Sequence, residues 1–261
     1  FVLGWRVLTE SRNPDAGSVD IAGQVLIIAS LTALTYALIE GGTQGWASLL
    51  ILSLFALAVI LMIAFLFVEA RVSEPLLPLA LFKNVIFSTA NVIATVVGFA
   101  LMGTVFFISQ YFQAIQGYTA LNSGLRTLPS TMGIFLAAPL AGQLTSRFGP
   151  RIPVTLGALF SGIALLLVVG IDPTTDYGTI WWKLAMFGIG IGLMLSPLTT
   201  AVLASTPSTR SGLASSIVTT SRQIGSVLGV ALLGALVTSN FTTNITSSLI
   251  KAGIPTSVSA K

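Results

Sequence analysis

The chain has 261 residues, of which 54% are hydrophobic and 8% charged, whereas a soluble domain carries about a quarter charged residues. That composition excludes a soluble globular protein. Twelve Lys and Arg against eight Asp and Glu give a basic balance, yet the cations are scattered over helix-connecting segments and form no patch for nucleic acid. With no Cys and no His, a disulfide framework, a thiol nucleophile and His-based catalysis or metal ligation are unavailable. No catalytic residue, metal site or cofactor is expected.

A bilayer core about 30 Å thick needs roughly 20 mostly apolar residues per helix. Seven runs of that kind lie at 20–41, 47–69, 86–113, 123–145, 152–171, 179–203 and 212–238. They are continuous and do not alternate apolar with polar, which favours an all-α transmembrane bundle over a β-barrel. The opening Phe1-Val2-Leu3-Gly4-Trp5-Arg6 is too short to span. It reads as the tail of an earlier helix, or as a short interfacial anchor.

The connections predicted on one side hold Arg6, Arg12, Arg71, Lys83, Arg147, Arg151 and Arg210, and those around 42–46, 114–122 and 172–178 hold no Lys or Arg. The positive-inside rule therefore places residues 1–19 in the cytoplasm. Arg126 and Lys183 fall just inside outward-facing helix ends, where long cationic side chains snorkel to the interface. The stretch 70–85 mixes Arg71, Glu74, Pro75, Pro78 and Lys83 with Leu and Phe. It reads as an interfacial linker dividing the first two helices from the next five. The Ser-, Thr- and Asn-rich tail 239–261 reads as a solvated outer loop with two sequons, at Asn240 and Asn244.

Polar side chains inside a bilayer are costly, so their placement around each helix is the best functional signal. In 86–113, Asn91, Thr95, Gly98, Met102, Phe106, Ser109 and Gln113 share one stripe. Polar groups mixed with Met and Phe suit a cavity for varied apolar solutes, and equally suit bonding to a neighbouring helix. In 123–145, Arg126 stands above a track of small residues, Ser130, Gly133, Ala137 and Ala141. It either faces a cavity near the outer surface or snorkels.

Helix 152–171 is apolar nearly all round, as a lipid-facing support would be. Helix 179–203 carries Gly188, Gly190 and Gly192 before Ser196-Pro197, where the missing N–H predicts a kink or hinge. In 212–238, Ser215, Thr219, Arg222, Ser226 and Gly229 align, with Gly225 completing a Gly-x-x-x-Gly pair. Arg222 falls about 16 Å beyond Ser211 at the helical rise, close to the bilayer midplane. There it either bonds helix carbonyls or pairs with substrate or with an acid elsewhere. Asp20, Glu40, Glu69, Asp172 and Asp176 lie at helix ends or in loops, so no intramembrane acid for a proton relay is visible.

The inner turn 140–154 resembles the signature loop of the major facilitator superfamily in its second copy, through Gly142, Leu144, Arg147, Gly149 and Arg151. Its usual acidic position is Ser146. Further stretches resemble the fourteen-helix drug:proton antiporter branch, the EmrB/QacA-type exporters. They are Glu74-Pro75-Leu76-Leu77-Pro78-Leu79, Ser123-Gly124-Leu125-Arg126-Thr127-Leu128-Pro129, Ser211-Gly212-Leu213-Ala214-Ser215, and Ser221-Arg222-Gln223-Ile224-Gly225.

The resemblance implies that 20–69 is the extra central helix pair and that 86–238 supplies the first five helices of the carboxyl-terminal bundle. The coupling acids would then belong to an amino-terminal bundle outside this chain. It implies a plasma-membrane exporter whose partners are small-molecule substrate, protons, lipid and that other bundle. Two alternatives remain open: export of one metabolite or antibiotic, and a non-transporting receptor or scaffold. An integral-membrane enzyme fares worst, because no acid, base and nucleophile share one depth.

Overall fold

A computed structural model describes the backbone of residues 20–72, 75 and 77–251, and the side chains of those residues except 209 and 238–251. The cytoplasmic reading of 1–19, residues Glu74 and Leu76 of the linker, and the end of the tail at 252–261 lie outside the described residues. The long helices are α1 (Ile21–Gln44), α2 (Leu49–Glu69), α3 (Val85–Gln110), α4 (Ala120–Phe148), α5 (Arg151–Val168), α6 (Tyr177–Ala204) and α7 (Ser211–Lys251).

Their starts follow from local chemistry. The side chains of Asp20, Ser48, Asn84, Thr119 and Asp176 each accept an N–H from the first turn that follows. Pro153 sits in the first turn of α5, where its missing donor costs nothing. Gly149 ends α4 at φ 78°, a left-handed turn that lets the chain reverse directly into α5.

Six of these helices are long and apolar enough to cross a membrane unaided. The seventh expected span, α4, has the length, at 29 residues. Asn122, Ser123, Arg126, Thr127, Gln143 and Thr145 make it too polar to qualify by composition. The tail expected as a loop instead continues α7 to Lys251. Ser, Thr and Asn are weak helix formers, but no Gly or Pro interrupts 235–252. Nor does Pro197 break α6, which runs continuously past it.

The helices assemble around α6, which packs against α3, α4, α5 and α7. In its apolar window 61% of residues are buried, against 28% or less in the other spans. The main core joins Phe87, Ala94 and Val97 of α3 with Ala164 of α5, Phe187, Ile191 and Met194 of α6, and Ile217 and Val218 of α7. The linker contributes to it: Leu77, Leu81 and Phe82 pack against this core, and Phe82 meets Phe87 edge-on at 5.1 Å. Helices α1 and α2 form a hairpin stapled by Ser30, whose hydroxyl donates to the Ala58 carbonyl at 2.8 Å. The hairpin joins the other five helices mainly through α1 on α7. At the end of α2 the buried Glu69 carboxylate accepts the Leu77 N–H at 3.1 Å, tying α2 to the linker.

The seams are backbone contacts. A Cβ on Gly188 would overlap the Ser130 carbonyl of α4, and one on Gly157 would press into the Gly190 carbonyl of α6. Close approach of this kind is what holds helices together where lipid is as apolar as Leu. Replacing Gly188 with Leu is expected to cost about 1–3 kcal/mol, seen as a lower melting temperature in detergent. Gly162→Leu, placed in open space on α5, is expected to stay within about 0.5 kcal/mol of the parent.

Candidate substrate-facing site

The polar stripe of α3 meets α7. A Cβ on Gly98 would run into the Arg222 carbonyl, one on Gly225 into the Thr95 carbonyl, and one on Gly229 into the Phe99 carbonyl. Within this seam Asn91, 4% exposed, donates to the Phe87 carbonyl at 2.8 Å and accepts the Ser221 hydroxyl at 3.0 Å. The Thr95 hydroxyl donates to the Asn91 carbonyl at 3.0 Å. Asn91 therefore bonds across to α7 through Ser221, whereas the Thr95 hydroxyl is bonded within α3.

Farther along α3 the stripe is uncovered. Met102 is 40% exposed, Phe106 is half-buried with its ring 3.6 Å from where a Gly234 Cβ would stand, and Gln113 is exposed. Gln113 donates to the Ser109 hydroxyl at 2.7 Å. Arg222 is half-buried on α7 beside this seam, at the level of Gly98.

Arg126 belongs to a different neighbourhood. Its guanidinium lies 3.9 Å from the Tyr118 ring and 4.7 Å from the Tyr177 ring, and the Tyr177 hydroxyl donates to its carbonyl at 3.1 Å. Both rings attract the cation through their π faces. The sequence offered snorkelling or a cavity, and the aromatic clamp was missed because Tyr118 and Tyr177 are remote from Arg126's own stripe.

A second missed feature adjoins it. After Gln110 the helix widens into a π turn, Tyr111–Ile115, in which the Gln116 N–H reaches back five residues to the Tyr111 carbonyl at 3.0 Å. The Tyr111 hydroxyl then donates to the Asp172 carbonyl at 2.7 Å, and Gln116 donates to the Tyr111 hydroxyl and the Thr175 carbonyl. These bonds fasten the end of the α3 span to the α5–α6 connection.

At the opposite end, α4 and α6 enclose a cleft of about 390 Å³ lined by Leu136, Leu140, Leu144, Ile189 and Leu193, with Arg147 at one end. Arg147 and Arg151 are exposed, Leu144 is half-buried, and Gly142 stands in open space. Gly192 packs on Ile134 and Ala137 of α4, and Pro197 is buried in α6. The candidate residues thus divide into the α3/α7 seam, the aromatic clamp around Arg126 and the α4/α6 cleft.

The family model of the Major Facilitator Superfamily matches residues 7–230. The chain belongs to that superfamily. It is 33% identical over 227 residues to "Multidrug resistance protein Stp" of Mycobacterium tuberculosis, covering 87% of this chain and 42% of that protein. It is 31% identical over 240 residues to the "Tetracenomycin C resistance and export protein" of Streptomyces glaucescens, covering 92% and 45%. The "Multidrug efflux pump LfrA" of Mycolicibacterium smegmatis is 28% identical over 246 residues, covering 94% and 48%. The chain spans less than half the length of these three relatives.

The clamp yields a direct expectation. Arg126→Leu removes the cation from both rings, an interaction worth about 0.5–2 kcal/mol. Amide hydrogen exchange in 116–118 and 172–178 should then speed up several-fold, with exchange in α1 and α2 unchanged. Unaltered exchange at the outer end would show that the rings do not hold that corner.

Proposed function

We propose that the chain forms part of a secondary active exporter that carries drugs or amphipathic, cationic small molecules out across the plasma membrane, driven by proton entry. The observation that carries this reading is the superfamily match over residues 7–230, joined to relatives whose names specify multidrug resistance and efflux. Within the family, the motifs beginning at Glu74, Ser123, Ser211 and Ser221 favour the fourteen-helix antiporter branch. In that reading α1 and α2 are the additional central pair, α3 to α7 belong to the carboxyl-terminal bundle, and proton coupling resides in an amino-terminal bundle.

The site residues take roles in keeping with their surroundings. Met102, Phe106 and Gln113 supply a soft, partly polar wall. Asn91, Thr95, Gly225 and Gly229 hold that wall to α7, Arg222 stands beside the same seam, and Arg126 braces the aromatic clamp at the helix ends. Gly188, Gly192 and Pro197 shape the α6 packing surface, while Gly142, Leu144, Arg147, Gly149 and Arg151 form the inner turn. A cavity opening alternately to each side needs no nucleotide site and no catalytic residue.

A narrower reading, export of one antibiotic or metabolite, is favoured by the relative named for tetracenomycin C resistance and export.

Ethidium flux into inverted proteoliposomes containing the complete transporter, under an imposed pH gradient, tests the proposal. Accumulation against the dye gradient, abolished by a protonophore, is expected. Tight vesicles that move no ethidium but accumulate a polyketide antibiotic would establish the narrower reading. Binding without any flux would make the protein a receptor or scaffold.

A further inference from the structure

Arg222 lies near the middle of the 27-residue span Ser211–Val237, and its backbone abuts Gly98 near the middle of the span Val85–Ile115. Two independent helices therefore put it deep in the membrane. Three cations near helix ends lie against rings: Arg71 over Phe67, Arg126 over Tyr118 and Tyr177, and Lys183 near Trp182. Among the described residues, the Arg222 guanidinium has no hydrogen bond, ion pair or ring contact.

Its neighbours on α7 offer it little. The Thr219 hydroxyl donates to the Ser215 carbonyl at 2.9 Å, and the Ser226 hydroxyl donates to the carbonyl of Arg222 itself at 3.0 Å. Both hydroxyls are satisfied within α7, while five guanidinium donors remain unmet. No Asp or Glu occurs in α3, or in α7 before Val237, and the single acid of α1, Glu40, bonds Thr43 and Gln44 at that helix's end. On α7, Gln223 borders a cleft shared with Leu31 and Thr35 of α1, while Thr219 is exposed beside Arg222, so the Thr219–Arg222 face is uncovered. A buried charge in a bilayer is paired or wet.

We propose that Arg222 is the cationic half of an ion pair whose carboxylate belongs to a transmembrane helix outside this chain, which packs over the Thr219–Arg222 face. A protein carboxylate fits better than an anionic solute because the transported class proposed above is cationic or neutral. A planar guanidinium also suits bidentate pairing with a fixed carboxylate. The inference rests on the exporter reading, in which further helices accompany this chain.

The chain contains no Cys, so Thr219→Cys is a single reporter once cysteines elsewhere in the complete transporter are removed. In membranes, a charged thiosulfonate should label Cys at 219 at least tenfold more slowly than Thr174→Cys, an exposed connection site. A lipophilic maleimide should also react slowly. Adding Arg222→Glu should raise labelling by the charged reagent about tenfold as like charges part the helices. Revertants of Arg222→Glu should replace an acid in another membrane segment with a neutral or basic residue.

Fast charged labelling in the parent would show a wet face, and fast maleimide labelling a lipid face. Either result overturns the pair. Labelling needs no transport, so absent efflux counts against the exporter reading and leaves this inference to its own measurement.

Discussion

The structure depends on helices approaching one another through their backbones. Inside a bilayer an apolar side chain gains little by leaving lipid for protein, so close van der Waals contact has to supply the attraction. Gly98, Gly225 and Gly229 provide it between α3 and α7, Gly133, Gly188 and Gly192 between α4 and α6, and Gly157 and Gly190 between α5 and α6. At each of these a single methyl group would press on a neighbouring helix. The seams leave α6 as the shared member and α1–α2 as a hairpin attached at the side.

That arrangement determines where function has room to act. Residues inside a glycine seam cannot move without separating two backbones, which makes Asn91 and Thr95 structural contacts of the α3/α7 pair. The freedom lies at its exposed edge: Met102 on α3 and Gln113 in the π turn that follows it. The aromatic clamp around Arg126 and the Tyr111 hydroxyl bond to Asp172 fix the helix ends on one side. On the other side Arg147 closes an apolar cleft without a comparable set of aromatic contacts. The edges of this body present soft apolar surface with few charges.

Much of the fold was legible in the sequence because hydropathy reports the solvent directly. The seven helices start within a few residues of the expected runs. The failures are physical. Hydropathy does not see that 239–251 can extend a helix when no breaker intervenes. Periodicity shows which residues share a face but not what covers it. It grouped Asn91 with Met102, although one lies in the α3/α7 seam and the other is exposed. The Tyr118–Arg126–Tyr177 contact joins residues that only tertiary folding brings together, and the π turn at Tyr111–Ile115 has no apolar period to announce it.

If the seams are what the rest depends on, α3 and α7 travel as one body while the transporter changes state. The most direct measurement is a pulsed dipolar distance between spin labels on cysteines introduced at Met102 and Val230, both exposed, in the complete transporter. It would be taken at acidic and alkaline pH, with and without a transported dye. A rigid seam gives one narrow distance distribution that stays fixed within about 2 Å under every condition, the shift that packed helices tolerate at interfaces. A distribution that moves by half a helical turn or more between conditions would mean that the seam opens, and that its glycines serve sliding rather than union.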